Sequence, residues 1–142
     1  MSKGDTFEND ILKLIFQAVA IANIADNAAS SPLTQLWISL HTADPGEAGN
    51  QTTNETSYGS YARVALARSA GGWTVTGNVV SPASNVDFPA CTSGTPTITH
   101  VAVGTASSGA GKLLYRGALT PSIAVSPGIQ PRLTTGSTIT EE

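Results

Sequence analysis

Leu36 to Leu66 reads LWISLHTADPGEAGNQTTNETSYGSYARVAL, and the rest of the chain is organised around this stretch. Leu36, Ile38 and Leu40 alternate with Trp37, Ser39 and His41, the period-2 spacing of a strand with two different faces. Asp44-Pro45-Gly46 stops the strand, because proline lacks the ladder donor and Pro-Gly suits a tight turn. Glu47 to Ser60 is almost all small and polar. Tyr61 and Arg63 reopen an extended pattern, with Val64 and Leu66 on the alternate face. The stretch predicts a strand pair carrying a long exposed loop, and contains no catalytic motif of its own.

The 142 residues suit one domain, taken as 1–142. Charged residues are 12% of the chain, about half the usual share, and Thr, Ser, Gly and Ala fill the gap. Net charge is −3 and no Lys/Arg cluster occurs, which gives phosphate-driven nucleic-acid binding little support. A weakly charged surface of this kind suits burial in an assembly. One cysteine, Cys91, excludes an intrachain disulfide and reads as a small apolar filler. The opening Met-Ser-Lys-Gly-Asp does not read as a signal peptide.

Outward from that stretch, Asp5 to Asp26 predicts a helix, within an N-terminal segment 1–26. Asp5 is the expected cap, with Glu8 completing a capping box. Phe7, Ile11, Leu14, Ile15, Ala18, Val19 and Ala22 keep helical spacing, but Leu12, Phe16, Ile21 and Ile24 are apolar too, so the helix wants cover on more than one side. Lys13, Gln17 and Asn23 interrupt the run and argue against a membrane span. Asn27 to Pro32 should break the helix. Residues 34–140 then carry eight to ten short strands, with turns at Ala70-Gly71-Gly72, Gly77-Asn78, Cys91 to Pro96, Ser107 to Gly111 and Pro127-Gly128. Their spacing of about 8–12 residues predicts a mainly β fold, a jelly-roll-like β-sandwich with one N-terminal α-helix. Prolines near strand boundaries blunt sheet edges.

The candidate chemistry is thin. Ser108-Gly109-Ala110-Gly111-Lys112 lacks the upstream glycine and the hydroxyl of a phosphate loop, since Ala106 and Leu113 stand there; it reads as a hairpin turn. His41 and His100 with Asp44 or Asp87 have no metal-ligand spacing. A Ser–His–Asp triad lacks a nucleophile elbow. Glu47 and Glu55 share a polar loop, a poor place for a desolvated catalytic acid. Trp37, Trp73, Tyr58, Tyr61 and Tyr115 suggest a sugar platform less well than they suggest core and interface, with Trp37 the better interface aromatic. No enzymatic activity, metal or cofactor is expected.

Longer strings carry more information. SKGDTFENDILKLIF, LWISLHTADPGEAGNQTTNE, SYARVALARSAGGWTVTGN, FPACTSG and THVAVGTASSGAGKLLYRGALTPSIAVSPGI together resemble a family of small virion proteins of tailed bacteriophages, among them capsid cement (decoration) proteins of Bordetella-phage type. Members are often labelled tail-fibre proteins. The resemblance covers essentially the whole chain. It implies a jelly-roll-like domain without enzymatic activity, bound to the outer capsid surface of an HK97-type head. There it would act as a homodimer that bridges neighbouring copies of the major capsid protein, with no nucleic acid or membrane as partner. On that reading Phe7, Ile11, Leu14, Ile15 and Val19, with Trp37, make core or partner contacts. Pro45, Glu47, Asn50, Thr53 and Tyr58 belong to a loop that meets the capsid protein or the twin subunit. The alternative is a tail or fibre-tip protein that contacts the host receptor.

Overall fold

The computed structural model describes residues 3–28 and 31–142. Among these residues it is mainly β, 35% strand against 9% helix, with one helix, at the N-terminus as expected. The elements are α1 (Asp5–Gln17), β1 (Gln35–His41), β2 (Val64–Ala67), β3 (Trp73–Thr76), β4 (Val79–Pro82), β5 (Val86–Asp87), β6 (Thr97–Gly104), β7 (Leu113–Ala124), β8 (Arg132–Leu133) and β9 (Ile139–Thr140). The strands form sheets ordered β2-β1-β6-β7, β3-β4-β9 and β5-β8. The chain divides into two compact units. One comprises Met1–Gln35, Leu66–Asn85 and Leu133–Glu142; the other comprises Leu36–Ala65 and Val86–Arg132.

In the first unit α1 packs on β3 and β4. Its buried line is Glu8, Leu12 and Phe16, a four-residue repeat that keeps one face inward. Phe16 meets Trp73 edge to face with centroids 4.7 Å apart, a favoured geometry for two quadrupoles. Gln17 donates to the Trp73 carbonyl at 3.1 Å and Asn9 to the Gly77 carbonyl at 2.7 Å. Lys3 pairs with Glu141 at 3.1 Å and donates to the Glu142 carbonyl, so the two chain ends meet.

The helix differs from expectation at both ends. Gly4, extended at φ −82° and ψ 145°, is the N-cap, and no side chain caps the helix. Asp5 is therefore already helical, which leaves Glu8 one place too far along for a capping box. At the other end Ala18 turns left-handed at φ 57° and its N–H returns to the Lys13 carbonyl, which also accepts the Val19 N–H at 3.1 Å, a left-handed helix ending. The helix thus stops at Gln17, not at Asp26. The apolar periodicity continues past this stop, but Ile21 and Ala25 exchange backbone bonds in a tight turn, with Asn23 at φ 61°. Of the predicted helix breaker, Ala29 and Ser30 lie outside the described residues.

No basic residue lies in the last turn of α1; a distant arginine serves instead. Arg68 donates through Nε to the Ile15 carbonyl at 2.7 Å, through Nη2 to Leu14 at 2.7 Å and through Nη1 to Leu33 at 2.8 Å. A guanidinium on the orphan carbonyls satisfies them and opposes the negative end of the helix dipole.

In the second unit β1 lies between β2 and β6 and pairs antiparallel with β6, Trp37 opposite Gly104 through His41 opposite His100. Leu36, Ile38 and Leu40 are buried on one face, but Ser39 and His41 are buried too. The strand therefore has cover on both sides, which its alternating sequence did not announce. β7 is an edge strand, and its edge is interrupted. Between the pairs Ile98–Ile123 and His100–Ala118, β6 advances two residues while β7 advances five. The bulge contains Pro121, which has no N–H to offer; both devices discourage edge pairing.

Replacing Arg68 with Met, which keeps the stem and removes every donor, should cost about 2 kcal/mol, because charged hydrogen bonds are lost and two helix carbonyls are left without partners. Arg68→Lys should recover part of the loss. Urea midpoints of the full chain measure it, and a Met variant as stable as wild type would remove the capping role.

Candidate functional site

The stretch between β1 and β2 is the longest polar segment of the second unit, and it is not a free arm. Asp44 accepts the Gly46 N–H at 2.9 Å, closing the predicted turn, with Gly46 at φ 74°, a backbone state that favours glycine. The chain then folds back over the polar face of β1. The Thr42 N–H donates to Asn54 O and the Thr56 N–H to Leu40 O, both at 2.9 Å, and Glu55 bridges to His41.

Gln51, Arg63 and Tyr61 pin this loop, the first two buried and Tyr61 half-buried. Gln51 is fully buried; its Oε1 accepts the Ala106 N–H at 2.9 Å, and its backbone N–H donates to the Gly111 carbonyl at 3.0 Å. A Cβ at Gly104 or Gly111 would lie 2.1 Å from the Gln51 side chain. The glycine before Lys112 is thus explained by the close approach of Gln51, and the phosphate-loop likeness dissolves into a β6–β7 hairpin. Arg63 grips Glu55 with both arms, Nε to Oε1 and Nη2 to Oε2, each at 2.7 Å. The same guanidinium donates to the carbonyls of Ala106 at 3.0 Å and Gly109 at 2.8 Å. The Tyr61 hydroxyl donates to Glu55 Oε1 at 2.9 Å and accepts the Leu40 N–H at 3.0 Å. Burial pushes the Tyr61 phenol well above its ordinary range, and the Glu55 hydrogen bonds hold the Arg63 guanidinium still more firmly charged.

His41 has no exposed surface. Nδ1 lies 2.8 Å from Thr53 O, an acceptor, so Nδ1 carries the proton; Nε2 accepts the Ser39 hydroxyl at 2.9 Å. A Ser–His pair at this distance resembles half of a nucleophilic triad. It is closed to solvent, however, and the third place is held by a carbonyl, while the nearby Glu55 is taken by Arg63. Burial lowers the His41 pKa, opposed by the Thr53 hydrogen bond and by Glu55. His100, opposite His41 in the register, pairs its Nδ1 with Thr99 Oγ1 at 2.9 Å. Asp44 pairs instead with Arg116 and Asp87 with Arg132. Asp44 titrates below the usual carboxylate range, chiefly because of the Gly46 N–H; Asp87 does so because of the Arg132 hydrogen bonds. Among the described residues no three His, Cys, Asp or Glu side chains converge to hold a metal.

The aromatic residues pack on one another. Tyr58 and Tyr61 meet edge to face at 5.3 Å, and Tyr61 stacks with Phe88 at 6.5 Å. Tyr58 is buried, donates to the Pro89 carbonyl at 2.9 Å, and has its pKa pushed up to about 12 by burial. Trp73 is buried and Trp37 half-buried. The residues expected at a partner surface fall in both units. Phe7 and Val19 are exposed, and Ile11, Leu14 and Ile15 half-buried, in the first unit; Glu47 is exposed, Asn50 and Thr53 half-buried and Pro45 buried in the second. An open hollow of about 340 Å³ is lined by residues 20–26 alone, without the convergent polar groups of a ligand pocket. No described helix is long and apolar enough to cross a membrane. Sequence reasoning passed over Gln51, Ser39 and Thr56. The only available signal was the pair of glycines at 104 and 111, which marks a close approach without naming the intruder.

Because His41 is held neutral, its folded pKa lies below the unfolded value of 6.5. The unfolded chain therefore binds the extra proton first. This stabilisation is complete above pH 6.5 and is lost as pH falls through the folded pKa, whereas Asp44 and Asp87 act only near and below their ordinary value of 3.8. Urea midpoints of wild type should fall from roughly pH 7 to pH 5. His41→Gln should show a flatter profile in that window, whatever its absolute stability; equal slopes would refute the assignment.

Comparison with known proteins gives one family. Its model, described as the podophage GP4 fiber I protein gp80, matches residues 3–141, and no curated protein matches the chain. The match takes in the helix, both compact units and the whole pinned loop. The chain is therefore a member of the podophage GP4 fiber I protein gp80 family, a family of phage virion structural proteins.

Proposed function

We propose that this chain is a non-enzymatic building block of a phage appendage, a fibre or fibre-proximal component held in the virion by protein–protein contacts. The observation that carries the reading is the fiber family model spanning residues 3–141. The geometry supports it from another direction. In the second unit the polar side chains that could have formed a reactive centre are engaged with one another and with backbone: Glu55 and Arg63 with each other, His41 with Ser39 and the Thr53 carbonyl, Gln51 with the Ala106 N–H. Such closed networks fix a surface in advance, which lowers the ordering cost of joining an assembly. The partners proposed are neighbouring virion proteins, a second copy of this chain among them.

A second reading has its own support. The strings around LHTADPGEAG and GTASSGAGKLLY resemble phage-head cement proteins across the whole chain, and the surface is poor in charge. On this reading the chain binds the outer capsid surface and bridges copies of the major capsid protein, and many modest contacts add up across the lattice.

Cryo-EM of purified particles separates the two. The fibre reading expects a handful of copies at the tail or its fibres. Copies tiling the shell, together with heads that lose heat resistance when the protein is missing, would establish cement and overturn the fibre reading. Peptidoglycan cleavage by the purified chain, abolished by Glu47→Gln or Glu55→Gln, would overturn the non-enzymatic part.

A further inference from the structure

The charge of the chain is unevenly shared. The second unit holds four cations and four carboxylates and is neutral. The first holds Lys3, Lys13 and Arg68 against Asp5, Glu8, Asp10, Asp26, Glu141 and Glu142, and so carries the entire net −3. Four of the five exposed large hydrophobic side chains among the described residues, Phe7, Val19, Ile24 and Leu33, also belong to this unit.

Ile24 stands apart, with 71% of its surface exposed. It is presented by a built turn. The Ile21 N–H donates to Ala25 O at 2.7 Å, the Ala25 N–H to Ile21 O at 3.0 Å and the Ile24 N–H to Ile21 O at 3.1 Å. Asn23, just before it, is left-handed at φ 61°, a state asparagine tolerates better than most residues. Ile21 itself is buried and anchors the base, while Ala20, Ala22 and Asn23 around the tip are small and exposed. A turn closed by three backbone hydrogen bonds that buries one isoleucine and holds another out in water has the form of an anchor residue. Asp26, two residues on, is exposed; it accepts the Ala28 N–H at 3.2 Å and forms no ion pair with a described side chain.

We infer that the Ile21–Ala25 turn presents Ile24 as a docking anchor, which seats in an apolar, Lys/Arg-rimmed pocket on a different virion protein. The charge decides against a second copy as the occupant. A two-fold contact centred on Ile24 would bring Asp26 of both copies together and face one unit of charge −3 with another, which is repulsive. A basic rim on the partner converts the same charges into attraction. The inference rests on the virion reading above.

The test supplies variants in trans to a phage lacking this gene and counts copies in purified particles. Ile24→Asp should keep the wild-type melting temperature, since the site is exposed, yet incorporate roughly tenfold less or worse; Ile24→Leu should incorporate normally. Asp26→Lys should incorporate several-fold less, and raised salt should loosen wild type. If wild type is present in particles and Ile24→Asp equally so, this inference falls and the virion reading stands. If wild type is absent from particles, both fall. A wild-type dimer in sedimentation that Ile24→Asp abolishes would name a second copy as the occupant and overturn the basic partner.

Discussion

The bidentate contact of Arg63 with Glu55 holds the second unit in its shape. One guanidinium satisfies the carboxylate that returns from the long loop and two carbonyls of the β6–β7 hairpin, so two segments more than forty residues apart share one charge centre. Tyr61 extends the network to the backbone of β1 through the Leu40 N–H. A pair of this kind adds little net energy over an apolar replacement of equal volume, but half of it alone is costly, because the remaining ion stays buried. Its effect is selection: a loop arrangement that fails to bring Glu55 to Arg63 strands a charge. Gln51 repeats the logic without charge, its amide filling the space that Gly104 and Gly111 leave open.

Much of this fold is legible in the sequence. The alternation at Leu36–His41, the Asp44-Pro45-Gly46 turn and the Ser107–Gly111 hairpin all stand where their local chemistry places them, because each is decided by residues within a few positions of one another. Features decided at a distance are not legible. The helix stop at Ala18 carries no glycine or proline signal. It is held by the Lys13 carbonyl and by Arg68, fifty residues away, while apolar spacing runs on to Ile24. Ser39 and His41 look like the solvent face of a half-buried strand until the loop covers them. Gln51 looks like one more polar loop residue. Likewise, the polar composition from Glu47 to Ser60 suggests an exposed arm, since composition reports polarity and not whether each polar group has found a partner.

The two units place their polar groups in opposite ways. In the second, carboxylates and cations are equal in number and largely turned on each other, Asp44 to Arg116, Glu55 to Arg63, Asp87 to Arg132. In the first, carboxylates outnumber cations two to one, and apolar side chains stand in water. A protein selected only for its own stability has little reason to keep Ile24 at the tip of a turn that requires a left-handed Asn23. Exposed apolar surface is tolerated where something outside the chain repays it. On the docking proposal, that repayment would come on assembly, with the exposed isoleucine buried and the unbalanced carboxylates facing counter-charges.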